Sequence, residues 1–123
     1  MIIIDYNDKR PIYEQIVDRF QTLILNGALE PDTQIPSVRA LAIELSINAN
    51  TIQRAYSELE RSGYIYSVKG RGNFVRADES LAQKQKDKTL KDLQEHLRQC
   101  KQLRISKEEV TACVTSIYAE VSI

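Results

Sequence analysis

Residues Ser46–Val75, SINANTIQRAYSELERSGYIYSVKGRGNFV, place a short helical stretch of hydrogen-bonding side chains directly before a Tyr-rich strand pair with a basic, Gly-rich turn. Ile52, Ala55, Tyr56 and Leu59 recur at three- and four-residue steps, the spacing of one buried helix face. Asn48 stands before them as an N-cap and Gly63 after them as a stop, so the spacing predicts a helix between the two. Beyond it, Tyr64–Val68 and Asn73–Arg76 have strand composition, and KGRG between them supplies the turn of a β-hairpin.

Upstream, Val38, Leu41, Ala42 and Leu45 give a second short helix its apolar face, with Ser37 as its N-cap and Arg39 and Glu44 towards solvent. Two short helices separated by the tight SIN form a helix-turn-helix, and the hairpin that follows adds a wing. An earlier helix is expected from Pro11 to Asn26, because Ile12, Ile16, Phe20 and Leu23 or Ile24 share one face and Gly27 ends it. The intervening ALEPDTQIPS has two prolines and no period, and reads as a loop.

Downstream, Asp78–Lys88 is polar and rich in Lys and Gln, the composition of a linker or of the exposed start of a long helix, and the helix is the favoured reading. Leu90, Leu93, Leu97 and Cys100 step by three, four and three residues along it. SKEE from Ser106 has the form of a capping box, opening a last helix with Val110, Val114, Ile117 and Val121 on one stripe. Two such stripes exceed what a lone helical hairpin can bury, so a second copy of the chain is their expected cover. The expected fold class is mainly α with a small β-hairpin, divided into a winged helix-turn-helix at 1–77 and a two-helix dimerisation tail at 78–123. In the tail, Leu90, Leu93, Leu97, Val110, Val114 and Ile117 are the candidate interface residues.

A chain of 123 residues with 42% hydrophobic and 28% charged residues suits one packed domain with a small appendage, which excludes a large enzyme and wholesale disorder. The apolar opening MIII meets Asp5 and Asn7 at once, too short for a signal peptide or a membrane span; a cytoplasmic protein is expected. Zero net charge and a pI of 6.6 argue against indiscriminate polyanion coating. Ser37–Arg76 nevertheless carries six basic residues against three acidic, a local net charge of +3.

That local charge accompanies side chains suited to base edges. Ala49, Asn50, Gln53 and Ser57 fall opposite the apolar face of the third helix, with Arg54 beside them. Asn and Gln pair bidentately with adenine, Arg with guanine, and short side chains let a helix sit deep in a major groove. Thr51, in the first turn, suits a phosphate together with backbone N–H groups at the helix start. Lys69, Gly70 and Arg71 at the hairpin turn suit a minor groove or phosphates, since glycine permits close approach and a narrow groove attracts cations. Catalysis has no comparable constellation: there is one histidine, and no nucleophile–base or phosphate-loop arrangement. His96, Cys100 and Cys113 lack a clear fourth metal ligand, and the cysteines read as small reduced hydrophobes. No cofactor is expected. The competing reading is a winged-helix module for protein association, with the same polar helix and turn facing a protein partner.

The segment IPSVRALAIELSINANTIQRAYSELERSGYIYSVKGRGNFV, Ile35–Val75, resembles the winged helix-turn-helix of GntR-type bacterial transcription regulators. Its chained signatures PSVRALA, NTIQRAYSELE and GRGNFV carry the resemblance, and the short two-helix tail is similar to that of the YtrA subfamily. The resemblance implies a dimeric repressor, commonly of a nearby ABC-transporter operon, acting on a palindromic double-stranded operator. It also implies Arg39 on the operator, Thr51 on a phosphate, Asn48, Ala49, Asn50, Gln53 and Arg54 at the start of the recognition helix and Lys69–Gly70 at the wing tip; the candidate DNA-contact set is Ser37, Arg39, Asn48, Asn50, Thr51, Gln53, Arg54, Lys69, Gly70 and Arg71. Two departures stand out. Asn48-Ala49 replaces the family's frequent Ser-Arg, removing a guanine-reading arginine, and Pro31-Asp32 replaces Pro-Gly, which is expected to matter little for DNA contact. No residue pattern names a small-molecule effector.

Overall fold

The computed structural model describes residues 2–76 and 78–121. Its elements run α1 (Ile12–Leu25), α2 (Val38–Leu45), α3 (Ala49–Arg61), β1 (Ile65–Val68), β2 (Gly72–Val75), α4 (Glu79–Gln102) and α5 (Lys107–Ala119). They fall into two compact units, Met1–Ala82 and Gln83–Ile123. This division lies beyond the expected 77/78 boundary because Leu81, in the first turn of α4, packs on the core of the first unit.

The apolar spacing of the first three helices becomes one core. Ile16 and Phe20 from α1, Leu41 from α2, and Ile52, Ala55, Tyr56 and Leu59 from α3 meet Ile65 and Val75 of the hairpin, all almost wholly buried. Each large apolar side chain removed from water in this way contributes about 1.5–3 kcal/mol before conformational entropy is counted. Phe20 meets the Tyr56 ring edge-on at 5.6 Å, and the Tyr56 hydroxyl donates to the Pro36 carbonyl at 2.7 Å. A phenol sunk in this core therefore keeps its hydrogen bond, and α3 is tied both to α1 and to the chain entering α2.

Helix ends are set by local chemistry. Ser37 Oγ accepts the Ala40 N–H at 3.0 Å and Asn48 Oδ1 the Asn50 N–H at 2.8 Å, as capping residues do. α2 stops at Ser46, which is left-handed at φ 54°, while Ile47 N–H reaches back to the Ala42 carbonyl at 3.0 Å. α3 ends the same way at Gly63, φ 85°, with Tyr64 N–H donating to the Leu59 carbonyl at 2.9 Å. Turning the chain within three residues between α2 and α3 thus depends on a serine in a conformation that glycine takes more readily.

β1 and β2 pair antiparallel, Ile65 opposite Val75 and Val68 opposite Gly72. Tyr64 and Arg76, expected at the strand ends, lie just outside them, although Arg76 N–H still donates to the Tyr64 carbonyl at 3.0 Å. The larger correction concerns the loop before α2. Gln34 bridges to Phe74, Ile35 N–H donates to the Asn73 carbonyl at 3.0 Å, and Val75 N–H donates to the Thr33 carbonyl at 2.9 Å. A segment with no period in its sequence therefore covers the open edge of β2, where otherwise unpaired backbone groups provide the partners.

The N-terminal arm is held by Gln15. Asp5 N–H donates to Gln15 Oε1 at 3.0 Å, and Gln15 Nε2 donates to the Asp5 carbonyl at 3.1 Å, burying the amide and seating Ile2 in the core. In the second unit Ser106 Oγ accepts the Glu109 N–H at 3.1 Å, the expected cap of α5. α4 ends at a left-handed Arg104, φ 60°. Neither α4 nor α5 has a buried residue, so the stripes expected along them stay half-exposed. Among the described residues no helix is long and apolar enough to cross a membrane.

Replacing Gln15 with Leu keeps the volume and strands the Asp5 backbone groups. The variant is expected to lose about 1–3 kcal/mol in urea unfolding. Unchanged stability would show that the arm is not anchored through this amide.

Candidate nucleic-acid interface

The exposed side of α3 follows from its buried side. With Ile52, Ala55, Tyr56 and Leu59 turned inward, Ala49, Asn50, Gln53, Arg54 and Ser57 are left on the surface. Gln53 Nε2 donates to Ser57 Oγ at 3.1 Å, one helical turn on, which orients the amide along this face. Asn50 remains exposed beside it.

Arg54 is placed differently from the other polar residues of α3. Its guanidinium lies 3.8 Å from the centroid of the Tyr13 ring of α1, a cation–π stack at the helix–helix junction. A base contact by Arg54 would require leaving Tyr13. The helix start also differs from expectation: Asn48 takes the Asn50 N–H with its side chain, and its carbonyl receives those of Thr51 at 3.0 Å and Ile52 at 3.3 Å. Capping consumes amides that had been expected to help Thr51 hold a phosphate, and the Thr51 side chain itself is half-exposed.

Arg39 on α2 is exposed, and so are Lys69, Gly70 and Arg71 at the wing tip. The ion pairs among the described residues engage Arg10, Arg61 and Arg98 instead. Arg10 bridges Asp8 and Asp18 on the surface, holding the Asp8 carboxyl below the usual carboxylate range chiefly by donating to it. Arg61 does the same to Glu58 at the far end of α3. Ser37 is also exposed, but its hydroxyl oxygen is committed to the α2 cap.

The wing tip closes by Arg71 N–H donating to the Val68 carbonyl at 2.9 Å, with Gly70 at φ 79° in the third position, where only glycine or Asn sits comfortably. At the wing's base Tyr66 stacks on Phe74 at 5.6 Å and donates its hydroxyl to Asp32 Oδ1 at 2.8 Å. Sequence reasoning missed both Asp32, which adopts a left-handed φ of 64°, and Gln34, whose Nε2 donates to the Arg71 carbonyl at 2.8 Å. The only signal for Asp32 was its place where the family pattern has glycine.

The tail residues expected at an interface come together in the second unit. Leu93, Leu97, Val110, Val114 and Ile117 line an apolar groove of about 540 Å³, and Leu90 lies exposed on α4. His96, Cys100 and Cys113 border the same groove, yet among the described residues no group of His, Cys, Asp or Glu is arranged to hold a metal ion.

This architecture matches known proteins. The family model described as bacterial regulatory proteins, gntR family, matches residues 12–75. The uncharacterized HTH-type transcriptional regulator YhcF of Bacillus subtilis is 37% identical over 106 residues, covering 85% of this chain and 88% of YhcF. The HTH-type transcriptional repressor YtrA of the same bacterium is 45% identical over 75 residues, covering 61% of this chain and 58% of YtrA. A solved GntR family transcriptional regulator from Listeria monocytogenes is 38% identical with a TM-score of 0.75, covering 90% of this chain and 98% of that one. AraR(DBD), solved in complex with operator ORR3, is 30% identical with a TM-score of 0.52, covering 59% of this chain and 88% of that one.

The hydrogen bond to Asp32, and then partial burial, raise the Tyr66 hydroxyl above its ordinary pKa. A group raised on folding stabilises below its unfolded pKa, about 10 for tyrosine, and loses that contribution as pH climbs through the folded value. The stability gap between the wild-type chain and Tyr66→Phe should therefore shrink above about pH 10. Denaturant unfolding from about pH 8 to about pH 12 tests this, and a gap constant across that range would break the link between Tyr66 and Asp32.

Proposed function

The chain belongs to the GntR family of bacterial regulatory proteins, and from that premise we propose that it is a homodimeric repressor reading a two-fold operator. It is a DNA-binding transcription regulator and not an enzyme. The observation that carries the rest is the pairing, in the matched segment, of one exposed polar face on α3 with an exposed basic turn on the wing.

In this reading α3 enters a major groove and the wing tip the neighbouring minor groove. Asn50 and Gln53 read adenine edges, each worth about 1–3 kcal/mol of discrimination. The bond from Gln53 to Ser57 supports this, because it orients the amide before DNA arrives. Asn48 caps the helix at the groove. Arg39 and the Thr51 hydroxyl hold backbone positions, while Lys69 and Arg71 meet the groove or phosphates through the turn that Gly70 permits. Arg54 contributes once released from Tyr13, and Ser37 by holding α2 in place.

Dimerisation through the tail is supported by what a single chain leaves uncovered. Leu93, Val114 and Ile117 are 48%, 50% and 56% exposed around the apolar groove, which is much apolar surface for a monomer to show water. A second copy laid on Leu90, Leu93, Leu97, Val110, Val114 and Ile117 covers it and sets half-site centres about 34–36 Å apart or a multiple of that. Repression is supported by the likeness to YtrA, a transcriptional repressor; the proposed target is a nearby operon, a transporter operon among the candidates.

Fluorescence anisotropy on the DNA upstream of the chain's own gene, at two salt concentrations, tests the reading. Affinity should fall steeply with salt, because counterions displaced from the phosphates gain less entropy on release into a saltier solution. Arg39→Ala should cost about 1.5–3 kcal/mol of binding with the fold intact, and Lys69→Ala should lower the salt slope by about one. Gln53→Ala should relax one symmetric pair of positions in a selection on randomised half-sites; identical logos would remove Gln53 from base reading.

Leu93→Asp sets an unpaired carboxylate in the proposed seam, at a cost on the order of 2–5 kcal/mol. Sedimentation should then report monomers or aggregates. A well-folded dimer would place the interface elsewhere.

A further inference from the structure

The wing tip is held from outside the hairpin. Gln34, on the segment before α2, sends its side chain across to the turn and donates Nε2–H to the Arg71 carbonyl at 2.8 Å. Its backbone bridges Phe74 in β2, so the side chain leaves from a fixed base. The turn makes room for it: a Cβ built on Gly72, which sits at φ 120°, would come within 2.7 Å of Gln34 Nε2. Gly72 is favoured by a backbone angle that side chains disfavour, and any side chain there would have to displace the Gln34 amide.

We propose that Gln34 is the positioning residue of the wing, fixing the Lys69–Arg71 turn in the free protein so that both cations meet DNA without first being ordered. This rests on the DNA-reading function proposed above. The Lys69–Arg71 turn is exposed and carries two long cationic side chains, the kind of backbone that opens most readily, and the Val68–Arg71 bond closes its neck. The Arg71 carbonyl gives the clamp its site, because the backbone there is shared by the residue that carries the charge. Gln34 acts through that backbone and needs no contact with the nucleic acid. The same geometry explains why Gly70 alone does not define the wing: Gly70 allows the turn, and Gln34 with Gly72 fixes its direction.

Gln34→Met preserves length and removes the donor. With the full chain and a duplex selected from a randomised pool by wild-type protein, the variant should bind about three- to tenfold more weakly, the loss typical of groups that must be ordered on binding. In the DNA-free protein, amide exchange over Lys69–Asn73 should quicken while the unfolding midpoint stays put. The decisive comparison is made in a Lys69→Ala/Arg71→Ala background, whose carbonyl at position 71 still accepts from Gln34. If Gln34 works through the two cations, Gln34→Met has no further effect on affinity there. An equal loss in that background would mean that Gln34 touches DNA itself, and unchanged affinity in the wild-type background would mean that the clamp does nothing for binding; either overturns the proposal. A wild-type chain that selects no sequence removes the DNA-reading premise and this proposal with it.

Discussion

The seating of Tyr56 is the constraint on which the DNA-facing side depends. Its ring is buried against Phe20 of α1, and its hydroxyl must find an acceptor inside the protein or carry the cost of an unmade hydrogen bond. The Pro36 carbonyl supplies it, one residue before the α2 cap. Burial, helped by the charge of Glu44, holds the phenol well above its ordinary pKa, so the donor persists across the range in which the chain works. One side chain thus joins α1, the approach to α2 and α3. The rotation of α3 follows: with Tyr56 inward, Asn50, Gln53 and Ser57 have to face out.

A chain with no net charge must bind a polyanion through placement. Glu58 is paired with Arg61, and Asp8 and Asp18 with Arg10, whereas Arg39, Lys69 and Arg71 stand outside the ion pairs among the described residues. Arg54 is the exception, exposed on α3 but with its guanidinium stacked on Tyr13. With alanine at position 49 and Arg54 engaged, the proposed base reading falls to neutral amides. In that proposal specificity is carried by hydrogen-bond pattern and affinity by the wing and α2, a separation of roles common to DNA-binding modules.

The second unit is organised on a different principle. α4 and α5 bury nothing by themselves, and their apolar residues line an open groove. Such helices are poorly stable as an isolated pair, since helical stability in water comes mainly from packing of the apolar face. A second copy of the chain as their cover would couple assembly to folding of the tail, and would make operator affinity depend on protein concentration.

The sequence by itself determined the helices, their caps and the buried face of α3, because each rests on local chemistry: Ser37, Asn48 and Ser106 cap wherever they precede a periodic stretch, and Gly63 ends a helix without help. It also placed the hairpin and its turn. Tertiary structure decided what depends on residues far apart in the chain. ALEPDTQIPS has no period because its partners lie some forty residues on, in β2, so neither its pairing nor the Gln34 bond to Arg71 could be read locally. Arg54 looks like a base reader on a helical wheel, and only the packing of α1 against α3 brings Tyr13 beneath it. Asp32 and Ser46 take left-handed angles usually left to glycine, held there by Tyr66 in one case and by the bond from Ile47 to Ala42 in the other. Local rules report what a residue prefers; the assembled core decides which preferences are overruled.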